Sequence, residues 1–463
     1  MKILLIEPAK SPVTLGGEDV FLFEPLALEY VAAGVSGRHD VRILDQRLEP
    51  DVGRVLDDFE PDIVGITSYT VHVGVVRALF EHIKARRPSA LTVVGGHHAT
   101  VAPRDFLSPH IDLVVAGEGV LAFKAIVERA ECGGGFDGIP GVGFARDGRL
   151  AMEPNPAAVD LDALPFPDRS LTARYRGAYY CEYMKPLASI RTSKGCPFRC
   201  SFCALWKLTG GRYLRRAPEK IVEELAGIAE ECVFFADDES LVDANRMRTL
   251  ANLIEEAGIR KRYFLYGRTD TIARSRDLLA RWKAIGLERV FVGFEFFRDE
   301  DLARIRKGSS TSDNEAAARV LNDLGIDIYA SFIVHPEFDR EDFEALRRYC
   351  RRLNLRFASF AVLTPLPGTD FYAEVETALL TRNPAYFDFI HTLLPTKLPL
   401  QEFYREYARL VSRAVSPANA LSFLLRYAWR DLPGTLAKIP RIVGRLRDAH
   451  LDYQPDRLGP SPR

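Results

Sequence analysis

Three cysteines fall within eight residues, Cys196-Pro-Phe-Arg-Cys200-Ser-Phe-Cys203, directly after an apolar run that reads as a β-strand. Three thiolates on one tight loop can hold three corners of a [4Fe–4S] cluster and leave the fourth iron without a protein ligand, open to a small chelating molecule. The plain alternative is a structural zinc site, which normally needs a closed shell of four ligands in paired spacings. Cys181 and Cys232 flank the loop without such a spacing. The chain has seven cysteines, an odd number, and the other four are scattered. This is no disulfide framework; it fits a metal or redox cluster in a reducing compartment, so the expected location is the cytoplasm.

The elements that must present this loop follow from the apolar pattern. At 463 residues the chain can form two or three domains, and 47% hydrophobic with 27% charged residues is a globular composition. A net charge of −1 gives no global basic field to recruit nucleic acid. The opening MKILLIEPAK is too short an apolar run for a signal peptide and reads as a first strand, and no run of about 18 apolar residues predicts a membrane span. KILLIE, VRIL, DIVGIT, LTVVGG and DLVVAGEG alternate with helical stretches such as VHVGVVRALFEHIKARRP. That pattern predicts an α/β fold with a doubly wound parallel sheet over residues 1–133, whose ligand site lies beyond the carboxyl ends of the strands. Residues 134–185, with GVGFARDGRLAM as a hairpin, read as a linker. LASIRTS, CVFFADD, RYFLYGRTD, RVFVGFE, DIYASFIV and RFASFAVL predict a partial (βα)₆ barrel over 186–370, and 371–463 reads as a helical C-terminal region.

The cysteine spacing, with the aromatic Phe202 before the last cysteine, resembles the signature of the radical S-adenosylmethionine superfamily. The resemblance runs on through successive strand ends. Asp237 and Asp238 stand where the family contacts the methionine amino group, and Arg268 and Glu295 where it contacts ribose or carboxylate. Thr364-Pro-Leu-Pro-Gly368-Thr369 is similar to its adenine-side loop. Read singly, Asp237 and Asp238 could cap a helix and Glu295 could be a buried ion-pair partner. The first domain resembles the cobalamin-binding fold of one large subclass: Thr67, Ser68, Tyr69, Gly95, Gly96 and His97 match positions that hold the nucleotide tail, and Gly117, Glu118 and Gly119 match its strand-end turn. Better-known cobalamin folds carry Asp-x-His-x-x-Gly, whereas this chain reads Asp45-Gln-Arg47-Leu-Glu-Pro50. Arginine cannot ligate cobalt. The resemblance therefore implies cobalamin without a histidine below the cobalt and Arg47 near that face; the bland reading makes Arg47 a surface residue.

FEPLALEYVA, GIRKRYFLYGRTD, WKAIGLERVFVGFE and FIVHPEFDRED are similar to the hopanoid C-3 methylase branch. This implies methyl transfer to an unactivated carbon of a hopanoid-like or other lipid or small molecule. An adenosyl radical takes hydrogen, the substrate radical takes methyl from methylcobalamin, and a second S-adenosylmethionine remethylates the cobalt. An external donor of the flavodoxin or ferredoxin type would supply the electron. Two other readings stay open: a porphyrin-cyclase type enzyme with the same cofactors, and a cobalamin sensor or carrier without radical chemistry, which the intact cysteine triad opposes. Residues 417–450 place Phe, Leu, Trp and Ile among six Lys/Arg and two Asp. Such a stretch either packs on the barrel or lies on the inner face of an anionic membrane.

Overall fold

The computed structural model describes residues 1–17, 20–155, 159–423, 425, 432–454 and 458, with the side chains of 432–437 excepted. Five parallel strands open the chain: β1 (Lys2–Glu7), β2 (Asp40–Asp45), β3 (Ile63–Thr67), β4 (Leu91–Gly95) and β5 (Leu113–Val115), in the spatial order β2-β1-β3-β4-β5. Apolar side chains on both sides of each strand seed two cores. One holds Leu4, Ile6, Val64 and Val94 under the helices Val52–Phe59 and Val73–Arg86; the other holds Ile3, Leu5, Ile63 and Val93 under Leu26–Ala33 and Gly119–Glu131. In the helix Val73–Arg86, Val73, Val76, Phe80 and Ile83 recur at helical spacing and are the buried positions. The GVGFARDGRLAM hairpin, expected within the linker, forms β6 (Val142–Arg146) and β7 (Arg149–Met152) and continues this sheet antiparallel beyond β5. Val142 is fully buried there, so the hairpin covers an edge that would otherwise stay open.

The second sheet contains six parallel strands in chain order: β8 (Leu187–Ile190), β9 (Cys232–Phe235), β10 (Arg262–Arg268), β11 (Leu287–Glu295), β12 (Asp327–Val334) and β13 (Phe357–Val362). β8 and β13 do not pair, so the barrel is partial. Its helices pack on the outer face, where Trp282 is fully buried edgewise on Phe235 and Tyr263 and donates its indole N–H to the Met247 carbonyl at 3.1 Å. Several helix starts are written in the sequence: Ser310 with Asp313, and Asp339 with Asp342, form capping boxes.

After β13 the chain passes through the short helix Asp370–Val375 and a run of turns before the helices Leu400–Arg413, Pro417–Phe423 and Leu432–Asp448. No helix among the described residues is long and apolar enough to cross a membrane. Residues 424 and 426–431 of the basic stretch lie outside the described residues. Within the rest, Leu446 is buried and Ile442 and Val443 pack on the barrel core, while Leu421, Leu425 and Ile439 are exposed.

His391 closes this region, its Nδ1 2.8 Å from Asp388 and its Nε2 3.2 Å from Asp452. Burial lowers the imidazole pKa, but the two carboxylates outweigh it and the net shift is upward. A raised histidine pKa contributes stability that is full below the unfolded value, about 6.5, and is lost as pH rises through the folded value. His391→Gln should therefore destabilise by about 1–3 kcal/mol in acid, and by less as pH rises through the folded value. Urea unfolding at several pH values measures this; a pH-independent difference would refute the charged clasp.

Candidate functional site

β8 delivers the chain to a loop whose backbone is fixed from the next strand end. Asp237 Oδ1 accepts the N–H groups of Thr192 and Ser193 at 2.7 and 2.8 Å, its Oδ2 accepts the Thr192 hydroxyl at 2.6 Å, and Asp238 Oδ2 accepts the Gly195 N–H at 2.6 Å. Burial pushes both carboxyls up against the pull of these donors. Neither aspartate caps a helix; the following helix, Ala244–Glu256, is capped by Asp243. Gly195 has φ of +87°, and a Cβ there would lie 2.1 Å from the Arg212 carbonyl, so only glycine fits the last position before Cys196.

Cys200 is buried, and Cys196 and Cys203 are half-buried. Burial pushes the Cys196 thiol up to about 11 and the Cys203 thiol up to about 12; Cys200 raises both further, and Cys196 also raises Cys203. Among the described residues, no three His, Cys, Asp or Glu side chains converge closely enough to hold a single metal ion. Phe202 packs against the barrel core, and the Trp206 indole N–H donates to the Cys200 carbonyl at 3.2 Å.

Arg268, at the end of β10, lies with its guanidinium 3.7 Å from the centre of the Phe198 ring and 3.8 Å from Cys200 Sγ. Asp270 at 2.9 Å and the Lys307 carbonyl at 2.5 Å hold it in place. Glu295, at a register shift in β11 and with φ of +61°, accepts Lys307 Nζ at 2.7 Å. It is a buried ion-pair partner within the same group as Arg268. Glu239 and Lys307 were not picked out in the sequence. Glu239 accepts from Thr271 Oγ1 at 3.1 Å and the Leu241 N–H at 3.2 Å, and burial pushes it to about 7 despite nearby Arg268 and Lys307. Its position, third in Asp237-Asp238-Glu239, was the available signal. Lys307 offered none.

The strand ends of the first sheet face the same region. Tyr69 has 56% of its surface exposed, yet burial raises its phenol to about 12, and Glu7, Arg47 and Asp238 of the second domain all bear on it. Its phenol thus lies within electrostatic reach of strand ends from both domains. The rings of His97 and His72 each lie 5.9 Å from it. Burial lowers both histidines to about 4, and His72 Nδ1 has no partner among the described residues. Arg47 is not a surface residue: it forks onto buried Asp45 at 2.8 and 2.6 Å and donates to the Phe23 carbonyl at 2.8 Å. Thr67 is half-buried, while Ser68 is fully buried and donates its backbone N–H to the Gly95 carbonyl at 2.9 Å. At Gly96, φ 97° and ψ −167° are accessible to glycine alone, and a Cβ would meet Thr67 Oγ1 at 2.5 Å and Ser68 N at 2.7 Å. Gly96→Ala should cost about 1–3 kcal/mol and weaken ligand retention at this edge. Calorimetry on the variant tests it; an unchanged Tm would mean that the turn tolerates a side chain.

Comparison with known proteins agrees with both halves. The family model of the B12 binding domain matches residues 13–127 and that of the radical SAM superfamily matches 190–350. The hopanoid C-3 methylase of Methylococcus capsulatus is 35% identical over 88% of this chain and 79% of its own length. The chain belongs to the cobalamin-binding radical S-adenosylmethionine enzymes. An uncharacterized methyltransferase of Pyrococcus horikoshii is 30% identical over 86% of this chain and 88% of its own, and the anaerobic magnesium-protoporphyrin IX monomethyl ester cyclase of Rubrivivax gelatinosus is 28% identical over 95% and 80%. Two solved structures share the fold. The cobalamin-dependent S-adenosylmethionine radical enzyme OxsB has a TM-score of 0.69 at 15% identity, covering 97% of this chain and 72% of its own. The methyltransferase TsrM of Kitasatospora setae has 0.69 at 19%, covering 97% and 99%.

Two further features belong to this cobalamin-binding radical S-adenosylmethionine enzyme as a whole. Gly117 has φ of +90°, and Glu118, which caps the helix starting at Gly119, also reaches across to Lys194 Nζ at 2.9 Å, with Arg191 at 3.7 Å. The strand-end turn of the first domain is thereby tied to the residue beside Gly195. The inner face of the barrel is aromatic: Phe234, Phe264, Phe291, Tyr329 and Phe357 form a continuous layer with ring centres 4.6–6.1 Å apart. Nearer the mouth stand the small residues Ala236, Gly293, Ser331 and Ser359. All four are partly exposed although helices cover the outside of the sheet, so their free surface faces inward. Phe23 stacks on Phe234 at 4.7 Å along the open side.

Proposed function

We propose that this enzyme methylates an unactivated carbon of a hopanoid-like or other lipid substrate. The reading is carried by the likeness to the hopanoid C-3 methylase across 88% of the chain, and the apolar inner wall of the barrel supports it. Cys196, Cys200 and Cys203 would hold a [4Fe–4S] cluster, and Phe202, Asp237, Asp238, Arg268 and Glu295 would surround S-adenosylmethionine. Thr67, Ser68, Tyr69, Gly95, Gly96, His97 and the Gly117–Gly119 turn would hold cobalamin, with Arg47 near the cobalt. These groups supply the electron, the hydrogen-abstracting carbon radical and the methyl group. The chain ties the two strand-end regions together through Glu118, holds the cysteine loop through Asp237 and Asp238, keeps cationic Arg268 beside Cys200 Sγ, and would shield the reacting carbon from water with aromatic walls.

The test is anaerobic reconstitution with iron, sulfide and cobalamin, followed by turnover with methyl-deuterated S-adenosylmethionine, a one-electron reductant and a hopanoid lipid. Mass spectrometry should find the labelled methyl on the lipid. Consumption of S-adenosylmethionine with no label transferred would reject methylation and favour the cyclase reading, which the 28% identity to the porphyrin ester cyclase keeps in view. A lipid substrate also gives exposed Leu421, Leu425 and Ile439, beside Lys438 and Arg441, a role in resting on the inner face of an anionic membrane. Replacing these three apolar residues with Asp should abolish flotation with anionic vesicles; unchanged flotation would end that reading.

A further inference from the structure

The outer side of the cysteine loop differs from its inner side. Inward, Phe198 and Cys200 meet Arg268. Outward, Pro197 and Arg199 are exposed, and Arg199 lies over the Trp206 ring at 5.8 Å. Lys207 lies over the same ring at 4.7 Å. Arg212 is exposed on the turn whose carbonyl crowds Gly195. On the other flank, the Ile305 carbonyl accepts the Ser201 N–H at 3.0 Å, which sets Arg306, 60% exposed, beside the loop. Asp370 pairs with both Lys207 and Arg306, so against Arg199, Lys207 and Arg306 it leaves these three cations in excess. The chain as a whole carries a net charge of −1, so this concentration of cations is local.

We infer that Arg199, Lys207, Arg212 and Arg306, grouped around Trp206, form the docking surface for a small acidic electron-transfer protein. The inference rests on the reading that Cys196, Cys200 and Cys203 hold an iron–sulfur cluster; it does not require methyl transfer. Charge complementarity selects the partner class: a cationic rim steers an acidic protein onto its surface and raises the encounter rate. Position selects its task. This face covers the cysteine loop from outside, and Trp206 joins it to the Cys200 carbonyl. One electron leaves the donor's flavin or iron–sulfur centre, which is oxidised, and enters the cluster, which is reduced; no other co-reactant is needed.

The test uses the reconstituted full-length enzyme and reduced flavodoxin. Arg199→Glu and Arg212→Glu, separately and combined, should weaken flavodoxin binding by about tenfold or more at low ionic strength and slow cluster bleaching in stopped flow to match. The gap should narrow as salt is added. Bleaching by dithionite, which needs no docking surface, should keep its normal rate, and Arg260→Glu, an exposed charge reversal elsewhere, should bind flavodoxin normally. Unchanged flavodoxin affinity would overturn the inference. So would equal slowing with dithionite, which would place the side chains' effect on the cluster itself, or an equal loss in Arg260→Glu. Normal docking together with failure to methylate lipid would reject the methyl-transfer reading and leave the docking surface standing.

Discussion

Replacing Cys200 with Ala should remove the iron–sulfur absorption and bring turnover to background, a loss of at least about 10⁶-fold, while cobalamin binding persists. Cys200 is the buried member of the triad and the one beside Arg268. Three thiolates are the minimum that holds three corners of a cluster, and Ala offers no replacement ligand. Stability should change by no more than about 1 kcal/mol, because Asp237 and Asp238 hold the loop through its backbone and not through this sulfur. Iron content, optical spectra and urea unfolding on one preparation separate these effects. Retained function without the cluster would revive the view of the chain as a cobalamin sensor or carrier.

The largest stability effect is expected at the foot of the barrel. Arg289 is 1% exposed, pairs with Glu182 at 2.6 Å, and lies 4.2 Å from the centre of the Tyr183 ring. Burial pushes the Glu182 carboxyl up even with this cation beside it. Arg289→Met would leave that carboxyl buried without its counter-ion, at a cost of about 3–5 kcal/mol. Adding Glu182→Gln removes the stranded charge, so the double variant should recover at least half of the loss. Denaturant unfolding of the wild type, both single variants and the double variant measures the coupling. A double variant no more stable than Arg289→Met would show that packing on Tyr183, and not charge, sets the cost.

The strands and the cysteine loop were legible in the sequence because both are local patterns: an apolar run has strand length, and C-x₃-C-x₂-C is complete within one loop. What could not be read was which side of each strand faces inward. Tyr263, Phe264, Leu265 and Tyr266 are all apolar or aromatic, and a parallel strand covered on both faces shows no alternation. Only the folded barrel separates Phe264 and Tyr266, which face inside, from Tyr263 and Leu265, which pack under the helices. Ion-pair partners were hidden for another reason. Glu118 and Lys194 are 76 positions apart, and Lys307 meets Glu295 where β11 shifts register between Gly293 and Glu295. Arg47 shows the reverse case: its partner Asp45 is two residues away, but a surface arginine and an anchored one have the same local sequence. The hairpin at 142–152 was recognisable as a hairpin, but its docking on β5 depends on an edge that exists only after the sheet forms.

The hydrogen bonds that Asp237 and Asp238 accept from the loop bear on how the enzyme lives with oxygen. A loop shaped only by its metal collapses when the metal is lost, as small zinc domains do. Here the turn before Cys196 is held by carboxylates of the neighbouring strand, so its backbone has supports that do not depend on a metal. Loss of the inorganic core should then leave the fold of this turn standing. Damage becomes a matter of refilling, and the chain can be repaired where it stands without being made again.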